Sequence, residues 1–179
     1  MSKPAQESAQ DFVALNIAVL TVSDTRTLDN DTSGQYLCDA LQIAGHSLAA
    51  REIVADDIYQ LRATVSQWIA SAEIHAVLCT GGTGFTPRDK TPEALTPLFD
   101  KTIDGFGELF RTLSYATIGT STIQSRCIAG LTNDTLIACL PGSTGACKDA
   151  WKGLLLEQLD IRHTPCNLAP HLLGHYSHK

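Results

Sequence analysis

No apolar run in this sequence is long enough to cross a bilayer, and the opening residues, Met1-Ser2-Lys3-Pro4-Ala5-Gln6-Glu7, lack the apolar core of a signal peptide. The expected location is therefore the cytoplasm, with no membrane partner. There is no Gly-Lys pair, so the Walker A phosphate loop is excluded. The dinucleotide pattern G-x-G-x-x-G fails as well, because Pro87 stands where its third glycine belongs. No cysteine forms a C-x-x-C pair, which removes a zinc knuckle or a dithiol redox motif. Basic residues are few: the net charge is −6, the pI is about 5.4 and no basic stripe exists. Nucleic acid is thus not an expected partner. An acidic chain can still bind a polyanion through backbone dipoles, a few cations or a divalent metal.

What remains is ordinary globular material. A chain of 179 residues with 44% hydrophobic and 18% charged side chains suits one domain that buries roughly 70% of its unfolded surface. Of the six cysteines, four lie in apolar surroundings and are expected as buried free thiols rather than a disulfide framework.

One stretch organises the rest. Ala76-Val77-Leu78-Cys79-Thr80 is strand-like, Gly81-Gly82-Thr83-Gly84 puts three glycines in four positions, and Thr91-Pro92-Glu93 opens a helix with Thr91 as the expected cap. A strand, a glycine loop and a helix start form an anion-binding layout, though the same pattern also makes a plain tight turn. Arg88 and Lys90 are placed to reach a phosphate, and Asp89 to hold a metal ion.

Along the chain, the apolar run Val13–Val22 reads as a buried parallel strand, with Ser23-Asp24 at its ligand-binding end. A loop over Leu28–Gly34, a helix to Ala44 and a strand over 47–54 follow. Asp56 or Asp57 caps a second helix with an apolar stripe from Ile58 to Ala72; capping is the simplest role for both. After the glycine loop come a short helix to about Phe99, a small strand at Lys101–Ile103 and a helix from Gly105 to about Ala116. On that helix Glu108 is either a first-turn dipole partner or a cleft group. Gly119–Arg126 is rich in hydroxyls and suits either a solvated loop or a polar ligand. Strands 127–131 and 135–140 flank Thr132-Asn133-Asp134 as a hairpin. The second of them runs into Pro141-Gly142-Ser143-Thr144-Gly145 and a helix from about Ala146 to Gln158. That is a second strand, glycine turn and helix, and two such turns at one sheet edge can clasp a ligand with phosphate at both ends. His171, His175 and His178 are expected in a flexible polar tail rather than a metal site.

The motifs Thr80–Gly84 with Pro87-Arg88-Asp89 and Thr91-Pro92-Glu93, Gly105-Phe106-Gly107-Glu108 with Phe110-Arg111, and Leu140-Pro141-Gly142-Ser143 resemble the molybdopterin-binding MoaB/Mog family. Asp31-Thr32-Ser33-Gly34, Ile118–Arg126 and Pro165-Cys166-Asn167 with Pro170-His171-Leu172 fit its MoaB branch. The resemblance covers residues 13 to 173, which would form one molybdopterin-binding domain between flexible termini at 1–12 and 174–179. It implies a three-layer α/β/α fold with a mostly parallel sheet and a small hairpin, assembled as a trimer or a hexamer. It also implies a ligand, molybdopterin, and in catalytic members transfer of AMP from Mg-ATP onto the pterin's terminal phosphate. Other cofactor-biosynthesis proteins would be partners.

By the same resemblance Thr80, Gly81, Gly82, Thr83 and Gly84 would hold phosphate, helped by Pro141, Gly142 and Ser143, with Arg88 in reach. Asp56 and Asp89 would serve magnesium and adenylyl transfer, while Ser23, Asp24 and Glu108 would line the cleft. Two departures stand out. The family's Val-Pro-Asp is here Val54-Ala55-Asp56, and the second turn continues Ser143-Thr144-Gly145 without a proline. Asp56 against Asp57 rests on the motif alone. A non-catalytic molybdopterin- or precursor-binding protein is the alternative reading, and a general α/β nucleotide binder a third.

Overall fold

The computed structural model describes residues 10–176. Residues 1–9 and His178, which fall in the termini expected to be flexible, lie outside them. Six strands form one sheet: β1 (Asn16–Val22), β2 (Ser47–Val54), β3 (Ala76–Thr80), β4 (Lys101–Thr102), β5 (Ile128–Thr132) and β6 (Thr135–Leu140). Their order is β2-β1-β3-β6-β5-β4. The first four run parallel, while β5 is antiparallel to β6 and β4 to β5. β3 and β6 are buried at every position, as strands covered on both faces must be.

Alternation along each strand feeds two cores. Ile17, Val19, Leu78, Leu136 and Ala138 face α1 (Thr32–Ile43), α4 (Asp104–Ile118) and α5 (Thr144–Ala150). Leu20, Val77, Cys79 and Ile137 face α2 (Ile58–Ile69) and the short α3 (Thr91–Leu95). The result is the expected α/β/α sandwich. From β1 the chain steps outward to β2, then crosses back over β1 to β3, so the strand order reverses between β1 and β3. The crevice beyond the C-terminal ends of these strands is where such sheets take ligands.

Several local expectations are corrected. α1 begins at Thr32 instead of after Gly34. Asp31 caps it by accepting from the Gly34 N–H at 2.9 Å, and a Cβ on Gly34 would stand 2.1 Å from Asp31 Oδ2. This glycine is a packing requirement and not a breaker. Thr91 is the first helical residue and not the cap of α3, because its hydroxyl donates to the Gly81 carbonyl at 2.9 Å. α3 is shorter than expected and passes into a 3-10 turn at Thr96–Leu98, where Pro97 has no N–H to give.

The last long helix contains a π-helical turn over Trp151–Leu155 before α6 (Leu156–Gln158). Residues 169–172 are not flexible tail: they form α7 (Ala169–Leu172), whose Ala169 and Leu172 enter the core. His171 stacks on Tyr176 with ring centroids 4.7 Å apart. The hairpin is as expected, with Asn133 and Asp134 at φ 46 and 63. All six cysteines are free, five of them buried and Cys166 exposed.

Candidate functional site

β3 and β6 are neighbours, so the glycine turns that leave their C-terminal ends meet. Gly81 and Gly82 adopt φ of +106 and +64. A Cβ on Gly81 would stand 2.3 Å from the Val22 carbonyl, and one on Gly82 would stand 2.2 Å from Thr91 Oγ1. Only glycine lets this loop lie flat against the end of β1. The Gly81 N–H donates to the Leu140 carbonyl at 3.0 Å, and Gly142 sits on Gly81. Inside the junction Thr80 Oγ1 donates to the Pro141 carbonyl at 3.1 Å. Thr80 is therefore a tie between the two turns and does not face solvent.

The turns open on a cleft of about 570 Å³. One wall is Gly81, Gly82, Thr83, Gly84 and Asp89, with Pro141, Gly142 and Ser143 beside them. The other wall is the end of α4 and the 3-10 segment after it, including Ser114, Thr117 and Ser121, with Asp149 from α5. Ser143 caps α5, accepting from the Ala146 N–H at 3.1 Å, so the positive end of that helix faces the cleft.

Four acidic groups surround the glycine loop, each with a defined partner. Asp89 Oδ2 accepts from the Thr86 N–H at 2.8 Å and the Thr86 hydroxyl at 2.6 Å. Burial pushes the Asp89 carboxyl up, but these bonds, the Gly84 N–H and the Arg126 charge outweigh it and hold it below its ordinary value. Asp56 Oδ1 accepts from the Lys90 N–H at 3.0 Å, and its Oδ2 lies behind Gly82. Burial pushes the Asp56 carboxyl up; the charges of Asp89 and Asp24 add to the rise, and the Lys90 N–H and Arg88 offset part of it. Asp24 is ion-paired with Arg88 at the rim, and Glu93 with Arg126.

The remaining expected residues separate. Asp57 caps α2, accepting from the Tyr59 and Gln60 N–H groups at 2.9 Å, whereas Asp56 faces the loop. The neighbouring aspartates thus divide helix capping and loop contact between them. Ser23 Oγ accepts from the Thr25 and Arg26 N–H groups and closes its own turn. Glu108 does not join the cleft: it lines a separate groove of about 260 Å³ with Asp104, Arg111 and Cys127.

Sequence reasoning did not single out Arg126. Its guanidinium donates to the Gly84 carbonyl at 2.8 Å and the Asp89 carbonyl at 3.0 Å, pairs with Glu93 and covers Phe85 at 5.4 Å. The only signal was one arginine closing a hydroxyl-rich run. Asp149 was missed too, because it looks like any solvent-facing helical acid. Among the described residues no three acidic, histidine or cysteine side chains gather into a metal cage, and no helix is long and apolar enough to cross a membrane.

The family model "Probable molybdopterin binding domain" matches residues 18–161, which spans both turns and the cleft. The chain belongs to the molybdopterin-binding MoaB/Mog family. Molybdenum cofactor biosynthesis protein B of Escherichia coli (strain K12) is 54% identical over 162 residues, 90% of this chain and 95% of that protein. Its namesake in Bacillus subtilis (strain 168) is 44% identical over 86% of this chain and 90% of its own. Among solved structures, the crystal structure of a molybdenum cofactor biosynthesis protein B superposes with TM-score 0.81 at 42% identity, covering 84% of this chain and 94% of that one. The tungsten cofactor synthesizing protein MoaB from Pyrococcus furiosus gives 0.74 at 32% identity, covering 90% and 96%.

Proposed function

We propose that this MoaB/Mog family member binds molybdopterin in the cleft, with its terminal phosphate against the two glycine turns, and adenylylates that phosphate from Mg-ATP. The observation that carries the reading is the seating of Gly142 on Gly81, which brings the two glycine turns together at one end of the cleft. In the reaction a pterin phosphate oxygen attacks the α-phosphorus of ATP, a P–O–P link forms and pyrophosphate leaves. Such a transfer needs in-line positioning and neutralised charge more than a covalent nucleophile.

The chain's own groups match those needs. The backbone of Gly82 and Thr83, whose neighbours Gly81 and Gly84 give their N–H groups to the Leu140 carbonyl and the Asp89 carboxylate, lines one cleft with the N-terminus of α5. Magnesium takes one or two carboxylates and completes its shell with phosphate oxygens and water. Asp56, whose charge is crowded by Asp89 and Asp24, fits a cation that arrives with the triphosphate. When bound there, magnesium would neutralise phosphate charge. Arg88 at the rim is exposed and in a position to exchange Asp24 for a phosphate.

A second reading has an observation in its favour. Both catalytic candidates already serve the fold, Asp89 through Thr86 and Asp56 through Lys90, as they would in a protein that only holds the pterin. The proposal includes a cytoplasmic location and self-association as a trimer or a hexamer. The exposed Leu109, Leu113 and Leu156 are apolar groups such an interface would cover.

The experiment incubates purified protein with molybdopterin, ATP and magnesium and separates the products by chromatography. Adenylylated pterin and pyrophosphate that vanish with EDTA support the enzyme reading. Pterin binding without product selects the carrier.

A further inference from the structure

The phosphate end of the cleft explains how an anion is held but not why the ligand should be a pterin. The opposite wall contains a group suited to that task. Asp149 lies on α5 in the cleft wall, partly buried, and its carboxylate forms no hydrogen bond or ion pair among the described residues, its one electrostatic neighbour being the Tyr36 phenol. Every other carboxylate near the cleft is committed: Asp24 to Arg88, Asp56 to the Lys90 N–H, Asp89 to Thr86, Glu93 to Arg126. Lys148 and Lys152 share the neighbouring groove with Asp149, yet neither pairs with it.

An ionised carboxylate can only accept, so a ligand facing Asp149 must bring donors. The hydroxyls that share its cleft, Ser114, Thr117 and Ser121, donate or accept and discriminate little. A 2-amino-4-oxo pyrimidine edge presents two parallel N–H donors, from N3 and the 2-amino group, and matches a carboxylate in bidentate fashion. Adenine offers a donor beside an acceptor and does not. Distance agrees. From Ser143, the cap of α5, to Asp149 is six residues, ~9 Å of helix axis. That is comparable to the length of three fused six-membered rings carrying a phosphate at one end. The apolar faces of Phe110 and Ile118 close the same cleft and suit a flat ring.

We infer that Asp149 is the specificity-determining residue of the cleft, its carboxylate reading the 2-amino and N3–H edge of the pterin while the glycine turns hold the phosphate. This rests on the reading that the cleft takes a pterin phosphate, and the test separates the two.

The probes are 6-(phosphooxymethyl)pterin and 6-(phosphooxymethyl)lumazine; the latter has a carbonyl acceptor in place of the 2-amino donor and a proton on N1, and both keep N3–H. Affinities are measured by ligand fluorescence for the full chain, for Asp149→Asn and for Asp149→Ala. The expected result is a wild-type preference for the pterin of about 10- to 100-fold. Asp149→Asn should lose that preference, because its amide offers a donor to the lumazine carbonyl, and Asp149→Ala should bind both probes weakly. Pyrophosphate should displace the probes from all three proteins with similar affinity. Equal wild-type affinity for the two probes overturns the assignment of Asp149 and leaves the pterin reading intact, as does a preference that survives in Asp149→Asn. Wild-type protein that binds pyrophosphate but neither probe overturns the pterin reading and Asp149 with it. The wild-type comparison needs no variant, so a variant that fails to fold does not rescue the inference.

Discussion

Gly142 rests on Gly81: a Cβ added to Gly142 would stand 3.2 Å from the Gly81 Cα. The two positions nevertheless differ in what they tolerate. Gly81 has φ +106 and would drive a Cβ to 2.3 Å from the Val22 carbonyl, a backbone atom that cannot step aside. Gly81→Ala is therefore expected to cost about 2–4 kcal/mol in a urea titration. Gly142→Ala needs a shift of only a few tenths of an ångström and is expected to cost under about 1 kcal/mol. It should still weaken pyrophosphate binding severalfold, because the methyl group enters the junction of the turns.

Arg126 fastens the glycine loop from outside, through the Thr83, Gly84 and Asp89 carbonyls and the Glu93 carboxylate. Its planar fork reaches several acceptors at once, which the point charge of lysine cannot do. Arg126→Lys is expected to lose ~2 kcal/mol and Arg126→Ala at least as much, since the carbonyls lose charge-assisted donors. The discriminating readout is amide hydrogen exchange, which should quicken at residues 82–89 in both variants while β1 and β6 stay protected.

The sheet was legible in the sequence because its central strands are continuous apolar runs punctuated by glycine, and β3 and β6 ended where those runs end. Both turns were legible for the same reason. What escaped was set by long-range contact. The start of α1 depends on Asp31 meeting Thr21 and Arg51, residues 10 and 20 positions away. Thr91 reads as a cap until the Gly81 carbonyl takes its hydroxyl. The same limit applied to the site. Asp56 and Asp57 are alike in sequence, and only packing gives one to α2 and the other to the glycine loop. Glu108 shared a motif with cleft residues but lies across α4 from them.

The chain enters β1 through two imidazoles. Leu15 N–H donates to His46 Nδ1 at 3.1 Å, and Asn16 N–H to His75 Nδ1 at 2.8 Å. Both rings accept, so both are neutral. Burial lowers their pKa from the ordinary 6.5, with Asp160 and Glu73 pulling weakly the other way. For a base with a lowered folded pKa, the unfolded chain takes up protons first as the pH falls. Stability is then full above about pH 6.5 and declines as the pH drops from there towards the lowered values. Thermal unfolding between pH 7.5 and 5.5 should show this decline. His46→Asn and His75→Asn, whose Oδ1 can still accept the backbone N–H, should flatten it. A slope unchanged in both variants would assign the decline to other groups.

Asp56 carries the opposite sign, and that makes it the sharpest test of the proposed chemistry. It is an acid whose folded pKa is raised above the ordinary 3.8, by burial first and by the charges of Asp89 and Asp24. Between 3.8 and the raised value the folded chain holds a proton that the unfolded chain has released. Stability therefore falls as the pH rises through that window, and the loss persists at neutral pH. Asp56→Asn removes the crowded charge and keeps an oxygen for the Lys90 N–H. In EDTA at pH 7.5 the variant should melt above wild type, and the gap should close below pH 3.8. Magnesium added over saturating pyrophosphate should raise the melting temperature of wild type further and leave that of the pyrophosphate-bound variant unmoved. If AMP transfer occurs, it should drop at least ~100-fold in the variant, the scale of losing an electrostatic group in the transition state. A variant that melts below wild type in EDTA would mean the Asp56 charge is satisfied within the fold, and a cation would then have no strain to relieve there.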